Sequence, residues 1–341
     1  MKQKKVTFAD IAAYTGFSKT TISRYFNNPD SLTLENQEKI AHALDILGYQ
    51  ENKLAKVLAN GKSEFVGIII PNLYLHYYSE MLNQLLSTYE KYNYKFLVFI
   101  GNNKKEIEEK YIHELMAYKI EGLIVLSNTI SSEELASYKL PVVTIERECD
   151  HVCSVSTDNY LGGVQATSLL IRNKCDVILH INSIFPDTLP TYGRIRGLED
   201  ICNEHHVVHE LIQRNLGNTY QETLTQLKNI FNEIEEKYPS QKKGVFLAND
   251  TYASMFLNLI FQKYGKLPKD YQIVGFDDSP IASEAILPIT TVGQQIEKIA
   301  QTAMELLVLQ MNEMKKRKPA PLKEPVHKQI TPVLIRRDTT E

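Results

Sequence analysis

The chain has 341 residues, which at roughly 100 to 200 residues per domain indicates two or three domains. Its 43% hydrophobic residues are enough to form buried cores, so global disorder is excluded. The formal net charge is −3, but the first 62 residues hold nine basic against six acidic side chains, and the remainder holds 29 against 35. The charge distribution therefore predicts that only the N-terminal part meets a polyanion.

The four cysteines are scattered along the chain, with no C-x-x-C pair and no Cys/His cluster at zinc spacing. This usage favours a reducing compartment and indicates no metal and no cofactor. The lysines near the start precede no apolar stretch, and the longest apolar runs elsewhere have the length of a strand. We therefore expect a cytoplasmic protein that is not exported and does not contact a membrane.

Residues 6 to 49 have the pattern of three short helices separated by tight turns. Thr7 and Ser18 are candidate N-caps of the first two helices, with a glycine between them. The third helix is predicted at residues 34 to 47. Two helices around a glycine turn, the second starting at a small polar cap, are typical of a helix-turn-helix.

The second helix carries an exposed set of polar side chains that suits DNA. A helix fits the major groove, where its first-turn side chains reach base edges and an arginine bonds guanine in bidentate fashion. Lys19, Thr20 and Arg24 are therefore the candidates for reading bases. Smaller polar side chains suit phosphate contacts, and these are Thr7, Ser18, Ser23 and Asn27. The alternative is an ordinary three-helix domain with one polar helix, because fold alone does not settle function.

The order of these residues resembles the N-terminal signature of the lactose-repressor (LacI/GalR) family of bacterial transcription regulators. Four segments carry the similarity: VTFADIA from residue 6, GFSKTTISR from residue 16, NN from residue 27 and LGY from residue 47. The resemblance implies that residues 1–49 form a DNA-binding domain and that residues 50–62 form a hinge helix and linker.

The family resemblance also assigns roles within that hinge. In this family two hinge helices enter the minor groove, and a leucine of each wedges open the central base step. By motif match the leucine is Leu58, and Ala55 packs against the partner helix. The alternative for Leu58 is an ordinary contact to the rest of the chain.

From residue 63 onward, short apolar runs alternate with helical patterns. Eight strands are predicted, at residues 65–70, 94–100, 121–126, 141–146, 176–181, 208–213, 243–248 and 271–276. Helices between them make this a βαβ alternation, which predicts parallel sheets covered by helices. We expect residues 63–341 to form two doubly wound α/β lobes, and the family resemblance implies lobes of the periplasmic-binding-protein type that bind an effector and dimerise.

Polar and aromatic residues follow the predicted strands, at the carboxyl ends where such folds bind ligands. Carboxylates and amides that bond hydroxyl groups, beside aromatic faces, are how a sugar is held. The candidates are Tyr77, Tyr78, Arg147, Asp158, Asn249 and Asp277. Any one of them could instead be a cap or turn residue, and Asp158 in particular could be only a helix N-cap.

The resemblance continues through this body. It is carried by DNY from residue 158, RIRG from residue 194, AND from residue 248, VGFDD from residue 274, PITTV from residue 288 and LIRR from residue 334. It implies that Arg194 and Asp277 are effector contacts, with the tyrosines, Asp158 and Asn249 as neighbours. The alternative for Arg194 is an inter-lobe salt bridge.

These features lead to the hypothesis of a homodimeric repressor of a carbohydrate-utilisation operon. A small molecule, expected to be a sugar or sugar phosphate, would bind between the lobes and change the affinity for double-stranded operator DNA. The second hypothesis is a sugar-processing enzyme on the same fold, but the chain has no G-x-S-x-G, no G-x-x-x-x-G-K-[ST] and no H-E-x-x-H. A transport protein that binds solutes would share the body but would need export. We therefore expect a regulator, not an enzyme.

Overall fold

A computed structural model describes residues 6–50, 63–147, 150–318 and 324–341. The chain forms two compact units, one within the first 62 residues and one from Ser63 to Glu341. We call the first unit the head and the second the body. Helices and strands are numbered below in chain order over the described residues.

The head contains three helices, α1 Phe8–Thr15, α2 Lys19–Asn27 and α3 Leu34–Leu47. Their fully buried side chains are Ile11, Ile22, Ile40 and Ala43. A second layer of aromatic rings closes this small core, including Phe8 and Phe26, whose ring centroids stack 5.2 Å apart. Gly16 ends α1 at the predicted glycine turn, and Gly48 ends α3; both glycines have left-handed conformations.

The body has two lobes, each built on a six-stranded sheet. The strands of the first lobe are β1 Phe65–Ile70, β2 Lys95–Ile100, β3 Gly122–Val125, β4 Val142–Ile145, β5 Cys153–Thr157 and β11 His327–Ile330. They lie in the order β11-β5-β4-β3-β1-β2, and all neighbouring pairs are parallel. The helices packed with this sheet are α4 His76–Ser87, α5 Tyr89–Tyr92, α6 Lys105–Ala117, α7 Ser132–Ser137 and α13 Ile296–Met314.

The second lobe repeats this architecture. Its strands are β6 Val177–Ser183, β7 Val208–Arg214, β8 Lys243–Leu247, β9 Tyr271–Asp277, β10 Thr290–Gly293 and β12 Val333–Ile335. They lie in the order β12-β10-β9-β8-β6-β7, parallel except for the antiparallel β10–β12 pair. Its helices are α8 Asn159–Arg172, α9 Gly193–Glu204, α10 Tyr220–Lys237, α11 Asp250–Tyr264 and α12 Pro280–Glu284.

The chain passes between the lobes at three crossovers. These run from β5 into α8, from β10 into α13, and from β11 into β12. A hydrogen bond joins the first and third crossovers: Asp158 N donates to Ile330 O at 2.9 Å. We call the three crossovers together the hinge of the body; this hinge is distinct from the predicted hinge helix at residues 50–62.

The predicted fold class is confirmed, with a small helical head followed by two parallel-sheet lobes. All eight predicted strands are present, with ends shifted by at most two residues. The described residues contain four further strands that were not predicted: β5, β10, β11 and β12. Two of them, β11 and β12, are short strands at sheet edges, and all four flank the crossovers, which only the tertiary fold defines.

Candidate functional site

The predicted DNA-contacting side chains of the head lie on α2 or at its N-cap, except Thr7, which is the N-cap of α1. All are exposed except Ser23, which is partly buried. Ser18 caps the helix, because its hydroxyl oxygen accepts from Thr21 N at 3.1 Å. Thr20, Arg24 and Asn27 follow one another at spacings of four and three residues, so they share one helix face.

The other three of the smaller polar residues, Thr7, Ser23 and Asn27, are also engaged within the head. Asn27 Nδ2 donates to Ser23 Oγ at 3.2 Å, and the Thr7 hydroxyl donates to the Asp10 carboxylate at 2.6 Å. Ala55 and Leu58, the predicted minor-groove residues of the hinge helix, lie outside the described residues. The contact of every one of these residues with DNA stays a prediction.

A cavity of about 630 Å³ lies between the two lobes of the body. This volume falls within the range of about 300 to 1,000 Å³ that small-molecule sites occupy. The cavity opens at the carboxyl ends of strands from both sheets, and its wall includes five of the predicted effector contacts: Tyr77, Tyr78, Arg194, Asn249 and Asp277. The position of the cavity agrees with the general rule for ligands in doubly wound sheets.

Arg194, in the first turn of α9, is held in one orientation. It is 5% exposed, its Nε donates to Asn159 Oδ1 at 2.7 Å, and its Nη1 donates to Ala248 O at 2.6 Å. Its guanidinium carbon lies 3.5 Å from the centroid of the Phe276 ring. Burial lowers the pKa of Arg194, while the nearby carboxyl groups oppose that effect. A planar donor group is therefore fixed at the cavity wall.

Asp277 ends β9 on the same wall, with an unusual backbone. Its φ is 116°, in the region that favours glycine, and such strain is common at ligand sites. The side chain is 3% exposed and accepts from Gln294 Nε2 at 2.5 Å. Burial and the neighbouring Asp250 carboxyl raise the pKa of Asp277 well above its usual range. A polar ligand that donates hydrogen bonds to this carboxyl would offset its desolvation.

A chain of buried hydrogen bonds connects these cavity residues to the hinge. Gln294 lies on the second crossover, and its Oε1 accepts from the hydroxyl of Thr157, on the first crossover, at 2.7 Å. The backbone N of Thr157 donates to Glu146 Oε1. Glu146 Oε2 accepts from Asn159 Nδ2 at 2.9 Å. Because Asn159 in turn bonds Arg194, the hinge and both lobes share one polar network.

Tyr77 and Tyr78, on the first turn of α4, bring aromatic rings to the first-lobe side of the cavity. Their centroids are 5.3 Å apart in an edge-to-face pair. Tyr77 is 8% exposed, and its hydroxyl has no hydrogen-bond partner within the described part of the chain. Burial raises the pKa of both tyrosines, so both hydroxyls remain protonated near neutral pH. A buried hydroxyl facing a cavity is well placed to bond a ligand.

Two predicted effector residues occupy other positions among the described residues. Arg147 is buried and donates to the backbone carbonyls of Ser127 and Ile130, so it fastens the segment after β3 and does not line the cavity. Asp158 caps α8, because its Oδ1 accepts from Leu161 N at 3.0 Å, and it does not line the cavity either. Their contact with an effector remains a prediction that this geometry does not support.

Several lining residues were not among the predicted contacts. The most prominent are Glu146, Gln294 and Asn182. Glu146 stands directly before Arg147 at a strand end, so the strand-end rule pointed to this position, where Glu146 and not Arg147 lines the cavity. Gln294 follows β10, a strand that was not predicted. Asn182 lies on β6, beyond the predicted end of that strand.

His180, on β6 beneath this cavity wall, is fully buried, and burial lowers its pKa from 6.5 to about 4. The unfolded chain therefore binds a proton more readily than the folded chain between these two pH values. Above pH 6.5, His180 is neutral in both the folded and the unfolded chain, so we expect its full contribution to the free energy of unfolding there. The free energy of unfolding should lose about 3 kcal/mol as the pH falls to about 4.

Urea denaturation between pH 7 and pH 4 measures this effect. His180→Gln has no imidazole to protonate at this position, so its stability should fall less steeply over the same range. Equal slopes for the two proteins would contradict the prediction.

The described residues contain no group of three or more His, Cys, Asp or Glu side chains placed to hold a metal ion. Within the same ranges, no helix is both long enough and apolar enough to cross a membrane.

Both units match known protein families. Residues 7–52 match the bacterial regulatory proteins of the lacI family, and residues 168–340 match the periplasmic binding protein-like domain. A curated relative is the sucrose operon repressor of Streptococcus mutans serotype c. It is 26% identical over 303 residues, which cover 88% of this chain and 91% of the relative.

Two solved structures extend the comparison. The lac repressor dimer bound to operator and the anti-inducer ONPF has a TM-score of 0.80 at 22% identity and covers 99% of both chains, a likeness that shows the shared fold. A periplasmic binding protein/LacI transcriptional regulator from Alkaliphilus metalliredigens, complexed with D-xylulofuranose, has a TM-score of 0.69 at 25% identity. It covers 82% of this chain and 100% of its own.

Proposed function

Because the chain belongs to the LacI family of bacterial regulatory proteins, we propose that it represses a carbohydrate-utilisation operon and releases or binds its operator in response to a sugar. Membership makes it a sequence-specific DNA-binding transcriptional regulator and not an enzyme. We further propose that it acts as a homodimer, with one head for each half of the operator, and that it works in the cytoplasm, where the DNA is.

The observation that carries the sugar proposal is the chemistry of the interlobe cavity. Seven asparagines and one glutamine are among its lining residues, together with four tyrosines and Phe185. Side-chain amides donate and accept hydrogen bonds, which matches hydroxyl groups that do the same. The aromatic rings suit the apolar faces of a sugar ring.

The charges favour an uncharged sugar over a sugar phosphate. Among the described lining residues, Arg194 is the one basic side chain, and it faces two carboxyl groups, those of Glu146 and Asp277. Two nitrogens of its guanidinium already donate to protein oxygens. A phosphate in this cavity would meet the acceptor oxygens of two carboxyl groups, those of Glu146 and Asp277, and few free donors, which is unfavourable in a buried site.

A thermal-melt screen of the whole chain tests the proposal. The panel pairs neutral sugars, among them sucrose and D-xylulose, with sugar phosphates and includes nucleobases. A ligand at 100 times its dissociation constant should add about 2.7 kcal/mol of stability. We expect a neutral sugar to stabilise the chain more than its phosphate ester. Stabilisation by phosphates or nucleobases alone would contradict the proposed effector class.

Operator binding is tested separately by selecting the sequences that the chain binds from random DNA. The selected operator is then used to measure the effect of substitutions. We expect Arg24→Ala to lose about 1 to 3 kcal/mol on the selected operator and to lose preference at one base pair, because a bidentate contact to guanine is removed. Lys56 is a basic residue of the predicted hinge helix and lies outside the described residues; Lys56→Ala should weaken binding to all sequences alike, because a lysine contacts phosphate and not a base edge. Equal losses of Arg24→Ala on operator and random DNA would rule out base reading by Arg24.

A further inference from the structure

The amide of Asn182 lies in the cavity wall at the carboxyl end of β6 and makes two hydrogen bonds within the protein. Its Oδ1 lies 2.8 Å from Ser183 N, which donates to it. Its Nδ2 lies 3.3 Å from Nε2 of His180, two residues earlier in the same strand. Since a backbone N–H can only donate, the first bond identifies the oxygen side of the amide.

The second bond depends on the protonation of His180. Its Nδ1 lies 3.0 Å from Phe246 O, and a carbonyl oxygen can only accept, so Nδ1 carries a hydrogen. Its ring also packs against the Phe246 ring, with 4.5 Å between the centroids. The imidazole is fully buried, with Arg194 as the charged group that acts on it, and both effects lower its pKa. A neutral ring with hydrogen on Nδ1 leaves Nε2 as an acceptor.

We propose that His180 is a positioning residue: it accepts one N–H of the Asn182 amide and so fixes that amide with its second N–H left for the cavity, and this point of the wall recognises an acceptor oxygen of the effector. The proposal rests on the proposed function for its ligand, a sugar. Amide oxygen and nitrogen both have fixed partners, so the group cannot rotate to offer its oxygen. An ammonium group of an amino sugar has no lone pair and cannot take the place of a hydroxyl or ring oxygen here.

The positioning claim can be tested on the full chain without any ligand. Nitrogen-15 NMR of the histidine side chains, with His180 assigned by loss of its signals in His180→Gln, reports which ring nitrogen carries hydrogen. We expect hydrogen on Nδ1 and no titration of His180 above about pH 5. Hydrogen on Nε2, or titration near the ordinary pKa of 6.5, would overturn the proposal.

A matched pair of variants sharpens this test. Asn182→Asp places a carboxylate against Nε2 and should raise the pKa of His180 by at least one unit. Asn215→Asp adds the same charge to the same cavity wall, but Asn215 bonds Gly217 N instead of His180. The control should leave the pKa of His180 nearly unchanged. Equal shifts in the two variants would show a general field effect and count against a direct bond.

The recognition claim uses D-glucose with D-glucosamine and D-galactose with D-galactosamine as probes, added to the thermal-melt panel. We expect the neutral sugar of a pair to bind more tightly to the natural chain, and Asn182→Asp to shift the ratio of affinities at least tenfold toward the amino sugar. An unchanged ratio would overturn the recognition claim. If no sugar of any kind binds, the recognition claim and the proposed function both fail. The tautomer of His180 still decides the positioning claim by itself.

Discussion

Replacing Arg194 with alanine is expected to weaken binding of the effector sugar by about 100-fold or more and to remove its influence on operator binding. Hydrogen bonds to a buried charged group contribute about 1.5 to 3 kcal/mol each, and 1.4 kcal/mol corresponds to a tenfold change in affinity. The substitution also leaves Asn159 Oδ1 and Ala248 O without this partner, and it removes the basic group that faces Glu146 and Asp277. Calorimetric titration with the sugar found in the screen measures the loss.

Arg196 provides a matched control on the same helix. It is exposed, lies over the ring of Tyr192, and does not belong to the described lining of the interlobe cavity. Arg196→Ala should therefore bind the sugar with nearly the natural affinity. A dissociation constant for Arg194→Ala close to that of the natural chain would show that Arg194 is not an effector contact, and would favour a purely structural role between the lobes.

The loss of operator response in Arg194→Ala follows from how the cavity is attached to the hinge. Arg194 reaches Glu146 through Asn159, and Asp277 reaches Thr157 through Gln294. A ligand that bonds Arg194 and Asp277 therefore bonds side chains that are tied directly to two of the three crossovers. Small changes in these bonds bias the relative orientation of the lobes, since packed lobes have discrete arrangements.

The sequence predicts the architecture of this site better than its details. Long apolar runs such as Phe65–Ile70 are strong signals, and their alternation with helices defines the two lobes. The edge strand His327–Ile330 has three exposed residues of four, so it lacks the apolar pattern on which prediction depends. Its place beside β5 is set by tertiary pairing across more than 160 residues.

The same limit applies to the site residues. Asn249 and Asp277 follow from the strand-end rule, and Arg194 follows from the family resemblance. The structure places all three on the cavity wall. Choosing Glu146 over Arg147 as the lining residue needed the backbone conformation, because Glu146 has a φ of 54° that turns the chain at this point. Gln294 could not be predicted from its own neighbours, because its importance comes from the crossover it occupies.

Replacing Gly163 with alanine is expected to destabilise the body by about 3 kcal/mol or more and to weaken sugar binding with it. A Cβ at Gly163, on α8, would lie 2.3 Å from Arg194 O and 2.9 Å from Arg194 Cα. These are backbone atoms of α9, so no flexible side chain can move aside, and overpacking of this kind costs about 1 to 3 kcal/mol or occasionally more. Any shift of α9 that relieves the clash carries the Arg194 guanidinium away from the cavity.

Two readouts separate this effect from ordinary glycine strain. The chain has no tryptophan, so urea denaturation is followed by circular dichroism and tyrosine fluorescence, and sugar affinity is measured by calorimetry. Gly265→Ala is the control, because Gly265 has a φ of 71° but nothing within 4 Å of its added Cβ. It should cost only about 1 kcal/mol and leave sugar affinity unchanged. If Gly163→Ala loses no more stability than Gly265→Ala and keeps its affinity, then close packing of α8 on α9 does not position Arg194.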